Sequence, residues 1–299
     1  MRKLLVIINP CANMGRGEKR GRWLLSSLQR AGLEFDAFFT TAPGDAERVA
    51  AQHAGFPDTI VAVGGDGTVY EVINGIMQRK ERPVLAILPA GRANDIAVHI
   101  GLGRGRNKAW RALREGDVSN VDLIRFNDRY AGNVVSVGYD ALIQRKAEDF
   151  GRLYLMRYAV EALLLIFKGM ARICLRIEYA GGVWEGPFTM ALVGHTSKYA
   201  RYVRICPGLR IDGGRMKIAC YRPVGKPLAL TALYASTFGL AGLLPHALMA
   251  ETPWVEIFSK SRTLAQSDGE LFDLEPGDSI RLELAKGVLR VKTLGRGSR

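Results

Sequence analysis

The sequence predicts a parallel α/β domain over residues 1–124, followed by a domain of packed antiparallel sheet with helical insertions over residues 125–299. Two patterns carry that prediction. Short, wholly apolar runs alternate with amphipathic helices up to about Asp122, as in a parallel sheet covered on both faces. Beyond Asp122 the apolar residues alternate with polar ones between frequent turns, as in half-buried antiparallel strands. A chain of 299 residues, 48% hydrophobic and 24% charged, is long and apolar enough to bury such a core.

The first domain is read element by element. Lys3–Ile8 is a continuous apolar strand ended by Asn9-Pro10, and its apolar run is too short for a signal-peptide core. Gly17–Ala31 is a helix with Leu24, Leu25, Leu28 and Ala31 on one face, stopped by Gly32. Glu34–Thr40 is a strand, Asp45 caps a helix to about Ala54, and Thr59–Val63 is a buried strand. The helix after it carries Val69, Val72, Ile73, Ile76 and Met77 at helical spacing, and Val84–Leu88 is a strand broken by Pro89. In the second domain the strand-like segments are Tyr130–Val137, Ile173–Tyr179, Phe188–Val193, Met216–Tyr221, Trp254–Phe258 and Ile280–Leu284, with a helical insert at Tyr154–Lys168. The 23 uncharged residues from Leu228 to Ala250 contain Gly239, Gly242 and Pro245, which favours a buried or interface-facing helix ending near Pro245 over a membrane span. The last ten or so residues pack on one of the two domains.

Formal net charge is +13, which favours an anionic partner: nucleic acid, anionic lipid or a phosphorylated substrate. Cys11, Cys174, Cys206 and Cys220 lack zinc-site spacing and read as free thiols of a reducing compartment.

The chemistry concentrates in three turns that follow strands of the parallel sheet. Gly64-Gly65-Asp66-Gly67-Thr68 joins an apolar strand to an amphipathic helix. Glycines admit close backbone approach, and the helix N-terminus presents unpaired N–H groups suited to phosphate. Asp66 either orders the turn or helps position a metal-bound phosphate, and Thr68 either caps the helix or donates to a phosphate oxygen. Neither Walker nor dinucleotide-fingerprint spacing is present. Asn9 to Gly17, with Arg16, and Pro89 to Asp95 form the other two turns, at the same sheet edge. Asp95 and Asp122 are further carboxylates near strand ends, either supporting a metal or acting as plain polar caps.

The motifs Asn9-Pro10, Gly64 to Gly75 (GGDGTVYEVING), Leu88 to Ala97 (LPAGRANDIA), Gly138-Tyr139-Asp140-Ala141, Pro207 to Gly213 and Asp268-Gly269-Glu270 together make the chain resemble the diacylglycerol kinase catalytic family, related to sphingosine and ceramide kinases. The glycine-aspartate-glycine loop is shared with NAD kinases and phosphofructokinases; its combination with the later motifs is far more specific. The resemblance implies a kinase of the NAD kinase/diacylglycerol kinase-like fold, an α/β nucleotide-binding domain and a β-sandwich acceptor domain with ATP in the cleft between them. By position, ATP contacts fall on Asn9, Pro10, Cys11, Ala12, Asn13, Thr40, Gly65, Asp66, Gly67, Thr68, Val69, Tyr70, Glu71 and Arg92. The proton acceptor matches Glu270, with Asp268 beside it, and a structural Mg²⁺ matches Asp212 with the carbonyls of Leu209 and Gly214. Arg92 stands where the family usually has Thr, Cys11-Ala12-Asn13 replaces a polar-Ser-Gly turn, Gly194 replaces an Asn, and Tyr199-Ala200-Arg201-Tyr202 lacks a glycine cluster.

The expected activity is therefore ATP-dependent phosphorylation of a lipid hydroxyl, diacylglycerol or a related lipid, by a cytoplasmic protein that touches the membrane peripherally. The alternatives are a kinase for a soluble acceptor such as NAD, or an inactive kinase fold acting as a basic binding protein. No helix-turn-helix or zinc-finger pattern is present, so nucleic acid is not an expected partner; oligomeric state, a homodimer included, stays open. Phe150 to Arg172 mixes leucines with Arg152, Arg157, Lys168 and Arg172, a pattern shared by interfacial helices and by core helices with basic flanks. Lys198, Arg201, Arg204 and Arg210 are candidates for a basic patch.

Overall fold

The computed structural model describes residues 3–55, 57–147, 154–169, 172–199, 203–204 and 206–294, with the backbone alone for residues 147 and 154–156. The chain divides into two compact units, residues 1–123 with 286–299, and residues 124–285.

In the first unit β1 (Leu4–Ile8), α1 (Arg16–Arg30), β2 (Phe35–Phe39), α2 (Asp45–Gln52), β3 (Thr59–Gly64), α3 (Asp66–Met77), β4 (Val84–Pro89), α4 (Asp95–His99) and α5 (Arg106–Glu115) lead into β5 (Asp117–Phe126). The strand order is β2-β1-β3-β4, all parallel. Every residue of β1 and β3 is buried, because helices cover both faces of those strands. Leu24 and Leu28 of α1 pack on Val6, Val61 and Leu88, with Ala109 and Leu113 of α5 in the same cluster.

The second unit comprises β6 (Arg129–Ala131), β7 (Val134–Gly138), α6 (Tyr139–Ala147), α7 (Tyr154–Lys168), β8 (Ile173–Tyr179), β9 (Gly182–Phe188), β10 (Met190–Gly194), β11 (Lys217–Tyr221), α8 (Lys226–Phe238), a 3-10 turn (Ala241–Leu243), β12 (Ala247–Glu251), β13 (Trp254–Ser259), β14 (Thr263–Ser267), β15 (Glu270–Leu274) and β16 (Ser279–Thr293). One antiparallel sheet runs β12-β11-β10-β7-β14-β15. A second runs β16-β13-β8-β9, and the end of β5 pairs with β6. The two share one core, in which Val135, Val137 and Ile218 meet Leu175, Ile177 and Ile257. The far half of β16 belongs to the first unit, where Val291 pairs parallel with Leu85 and Lys292 donates to the Gly116 carbonyl. Residues 295–299 of the tail lie outside the described residues.

Four sequence expectations are corrected. The helix in the uncharged run ends at Phe238, because Gly239 takes a left-handed φ of 79° and closes it; residues 247–251 are a strand. The run Tyr130–Val137 splits at Gly132-Asn133, whose flanking amides bond to Asp268 rather than to a neighbouring strand. Phe188–Val193 divides at Thr189, and Gly182–Phe188 is a separate strand. Asp45 is the first residue of α2, not its cap: its carboxylate turns back to the N–H groups of Thr41 and Ala42. The four cysteines are free. Burial pushes the Cys206 thiol up to about 12 and Cys220 higher still, so both behave as small apolar core residues.

Candidate active site

In the first unit the three glycine-bearing turns form one interlocked surface at the carboxyl ends of β1, β3 and β4. Asn9 Nδ2 donates to Thr68 Oγ1 at 3.1 Å, and its Oδ1 accepts from the Cys11 N–H. Asn13, at a left-handed φ of 46°, donates to the Gly91 carbonyl. The N–H groups of Ala90 and Gly91 donate to the Gly64 carbonyl. A Cβ on Gly91 would stand 2.4 Å from Gly65 Cα, so the second and third turns touch only because both positions lack side chains.

Asp66 joins the same two turns by charge. Its two carboxylate oxygens accept from the backbone N–H groups of Asn94 and Asp95, each at 2.7 Å. Burial raises the Asp66 carboxyl above its ordinary value, against the pull of those amides. Asp66 thereby orders the turn, one of the two roles read for it in the sequence. Thr68 is buried and hydrogen-bonded to Asn9. Val69 and Tyr70 are buried in the face of α3 that meets the core. Glu71 caps α2 instead of facing the turns: its oxygens accept from Gly44 N–H and Ala46 N–H, both at 3.0 Å. Thr40 closes β2, its N–H donating to Ile8, and Arg92 is half-buried on the third turn. Pro10 accepts from the Glu18 N–H, Ala12 donates to Asn9, and Cys11 is exposed. Asp122 is buried and accepts from Gly287 N–H.

In the second unit the Asp268-Gly269-Glu270 turn links β14 to β15. Asp268 sits at φ 50° and gives both carboxylate oxygens to the N–H groups of Gly132 and Val134. Glu270 opens β15, opposite Ser267, and is exposed. The turn is braced from behind. Gly269 N–H donates to Gln266 Oε1, and Gln266 Nε2 donates to Asp140 Oδ2, both at 2.8 Å. Asp140, 2% exposed, also accepts from Ser136, Tyr158 and Tyr199 hydroxyls. Burial, and then the adjacent Asp140 charge, hold the Tyr199 phenol well above its usual range, so it remains a donor. Next to this network lies a cavity of about 100 Å³, walled by α6, α7 and α8 through Ile143, Ala162, Ile166, Ala229 and Leu233.

Residues 3–126 match the family model of the diacylglycerol kinase catalytic domain. The chain is 31% identical over 217 residues to a diacylglycerol kinase of Staphylococcus aureus strain bovine RF122 / ET3-1, covering 70% of this chain and 67% of that one. The same identity and coverage hold for the diacylglycerol kinase of Staphylococcus aureus strain JH9. This chain belongs to the diacylglycerol kinase catalytic-domain family. It is a lipid kinase. Its fold is shared with a diacylglycerol kinase from Bacillus anthracis str. Sterne, at a TM-score of 0.74 and 20% identity over 98% of this chain and 97% of that one. A second structure from the same organism gives a TM-score of 0.80 at 22% identity, with the same coverage.

Within this kinase the metal loop departs from the expected arrangement. Arg210 grips Asp212 with two nitrogens, Nε at 3.0 Å and Nη2 at 2.8 Å from Oδ1, the latter also 2.9 Å from Oδ2. Leu209 is buried and Gly214 takes φ 63°. A guanidinium already stands against the carboxylate assigned to Mg²⁺, so a cation there has to displace Arg210. Among the described residues no three His, Cys, Asp or Glu side chains cluster to hold a metal. Wild-type melting temperature is therefore expected to be insensitive to millimolar Mg²⁺. Arg210→Ala is expected to lose less than about 1 kcal/mol of stability, the scale for an exposed pair, and to gain a Mg²⁺-dependent rise in melting temperature. Thermal scans with and without Mg²⁺ check this; a Mg²⁺-stabilised wild type contradicts it. Of the candidate basic patch, Arg210 is ion-paired, and Arg201 lies outside the described residues, as do Ala200 and Tyr202. Of the proposed interfacial stretch, Phe150, Arg152 and Leu153 are outside them too, and Arg157 pairs with buried Glu161.

Sequence reasoning quotes Asp140 only as part of a motif, reads Asn94 or Asp95 as the cap of the helix that follows, and passes over Gln266 and Tyr158; Asn94 stands at the N-cap position of α4. A signal for Asn94 exists: Asn followed by Asp ahead of a short helix favours a left-handed position, which it occupies at φ 51°. Nothing local announces Gln266.

Proposed function

We propose that this kinase transfers the γ-phosphoryl group of ATP, supplied as its Mg²⁺ complex, to the hydroxyl of diacylglycerol or a closely related lipid. The observation that carries the reading is the interlocking of the three turns around Gly65, Asp66 and Gly91. It leaves a glycine-lined main-chain surface beside the N-terminus of α3, where partial positive charge suits a polyphosphate. Asn9, Pro10, Cys11, Ala12, Asn13, Thr40, Gly65, Gly67, Thr68 and Arg92 are its nucleotide-facing candidates, and residues 1–124 take the nucleotide role. Residues 125–285 take the acceptor role, the far half of β16 belonging to the first unit, with the cavity under α8 receiving part of an acyl chain. Glu270 accepts the proton of the lipid hydroxyl as its oxygen attacks the γ-phosphorus. The bond from that phosphorus to the bridging oxygen breaks, and ADP leaves. Asp268 positions Glu270 by pinning its turn to the Gly132-Asn133 segment. The protein works at the membrane surface, since its acceptor resides there; among the described residues no helix is long and apolar enough to cross a membrane.

The test supplies γ-labelled ATP, Mg²⁺ and mixed micelles containing diacylglycerol, a sphingoid base, phosphatidylglycerol or a prenol, with NAD as a soluble acceptor. A labelled phosphatidic acid identified by mass is expected. Labelling of NAD without lipid product, or no transfer to any acceptor, overturns the reading.

A further inference from the structure

The helix that walls the cavity carries apolar residues on two opposite sides, although half of it faces solvent. Ala229, Leu233 and Ser236 of α8 line the cavity. On the opposite side Tyr234 is 69% exposed and Phe238 57%, their rings 5.2 Å apart. The chain then turns and leaves its next two leucines in solvent: Leu240 is 50% exposed and Leu243, in the 3-10 turn, 80%. Single exposed apolar residues are ordinary. Four large ones within ten positions of one helix and its closing turn form a patch, and a stable water-soluble surface rarely keeps one without a partner. A surface helix of a soluble domain carries one apolar stripe; α8 carries two.

Charge decides the partner. From Gly213 to Ala250 the chain holds Arg215, Lys217, Arg222 and Lys226 and no acidic residue. Arg222 and Lys226 are exposed, and Lys226 begins α8, the end at which the helix dipole disfavours a cation. Exposed Arg204 is tied to the other end, its N–H donating to the Ser236 carbonyl. A second copy docked on the same face would bring these cations together; an anionic bilayer would neutralise them.

We propose that the outer face of α8 and the 3-10 turn, with Tyr234, Phe238, Leu240 and Leu243 at its centre and Arg204, Arg222 and Lys226 around it, docks on an anionic lipid surface. This rests on the lipid-kinase reading above and adds to it the surface by which the acceptor's bilayer is met. Tyrosine and phenylalanine suit the headgroup–acyl boundary, and the flanking cations suit the anionic headgroups. Because the inner face of the same helix lines the cavity, docking sets the cavity wall directly against the lipid.

The test is co-sedimentation with phosphatidylcholine vesicles, with and without phosphatidylglycerol, in the absence of ATP and acceptor. Wild type is expected to partition onto the anionic vesicles and to release at high salt. The exposed double variant Phe238→Ser with Leu243→Ser is expected to partition about tenfold or more weakly, with an unchanged melting temperature. As a second measurement, Leu243→Trp is expected to show a blue shift of emission on adding anionic vesicles, beyond any shift of wild type. Equal partition of wild type and double variant, no blue shift, or a wild-type dimer that the double variant dissociates, overturns the proposal. Vesicle binding without phosphorylation of any lipid would count against the activity alone; phosphorylation of micellar lipid without vesicle binding would count against this surface alone.

Discussion

Glu270→Gln is expected to lower kcat by roughly 10²–10⁴-fold, the range for loss of a general base, while leaving ATP affinity and melting temperature near wild type. The two acids of the turn divide their work. Asp268 gives both oxygens to backbone amides at the start of β7, the strand next to β14, and it does so from a left-handed backbone position that an untethered aspartate would leave at little cost. Glu270 is exposed at the mouth of β15. Glutamine keeps the size and polarity of that side chain and removes only its basicity. Asp268→Asn replaces one acceptor oxygen with a donor facing a donor, so it is expected to lose stability as well as kcat. Single-turnover transfer to micellar lipid, nucleotide titration and thermal scans separate the two variants. Retention of more than about a tenth of wild-type kcat by Glu270→Gln would remove Glu270 from the role.

The same two residues show where sequence reasoning reaches. The elements whose geometry is local were legible: β1, β3 and β4 as wholly apolar runs, α3 from its spacing of Val69, Val72, Ile73 and Ile76, α7 and β8 to the residue. Turns were legible as turns because glycine and asparagine cluster in them, at positive φ in Asn13, Gly15 and Asn94. What could not be read was the partner of each polar group. Asp66 was read as ordering its turn or placing a phosphate, and it holds the amides at the start of α4; Glu71, matched by resemblance to a nucleotide contact, holds the amides of α2; Asp212, matched by resemblance to a metal, holds Arg210. In each case a backbone N–H or guanidinium competes for a carboxylate, and which one wins depends on chain segments far away in sequence. The split of the Tyr130–Val137 run has the same origin: Asp268, more than 130 residues distant, takes the two amides that a single continuous strand would have used otherwise. The close of α8 at Gly239 was missed for a different reason, since both Gly239 and Pro245 can end a helix and the nearer one acted first.

Asp140→Ala is expected to destabilise the protein by about 3–5 kcal/mol, the scale for leaving several buried donors without their acceptor. For a chain of this size that is a fall in melting temperature on the order of 10 °C. Asp140 is 2% exposed, and alanine there leaves the hydroxyls of Ser136, Tyr158 and Tyr199 and the amide of Gln266 without their acceptor in the low dielectric of the second unit. Each unpaired buried donor costs about 1–3 kcal/mol before relaxation. Tyr158→Phe removes one donor and keeps the acceptor, so it is expected to cost only about 1 kcal/mol. Urea denaturation of the two variants ranks them, and a loss below about 1 kcal/mol for Asp140→Ala would show that the network is not under tension. The network also has a reach beyond stability. Gln266 takes its orientation from Asp140 and passes it to the Gly269 N–H, so the backbone immediately before Glu270 is set by a carboxylate on α6. Gln266→Ala is therefore expected to lower kcat with KM for ATP unchanged, because what it loosens is the aim of the base and not the seat of the nucleotide.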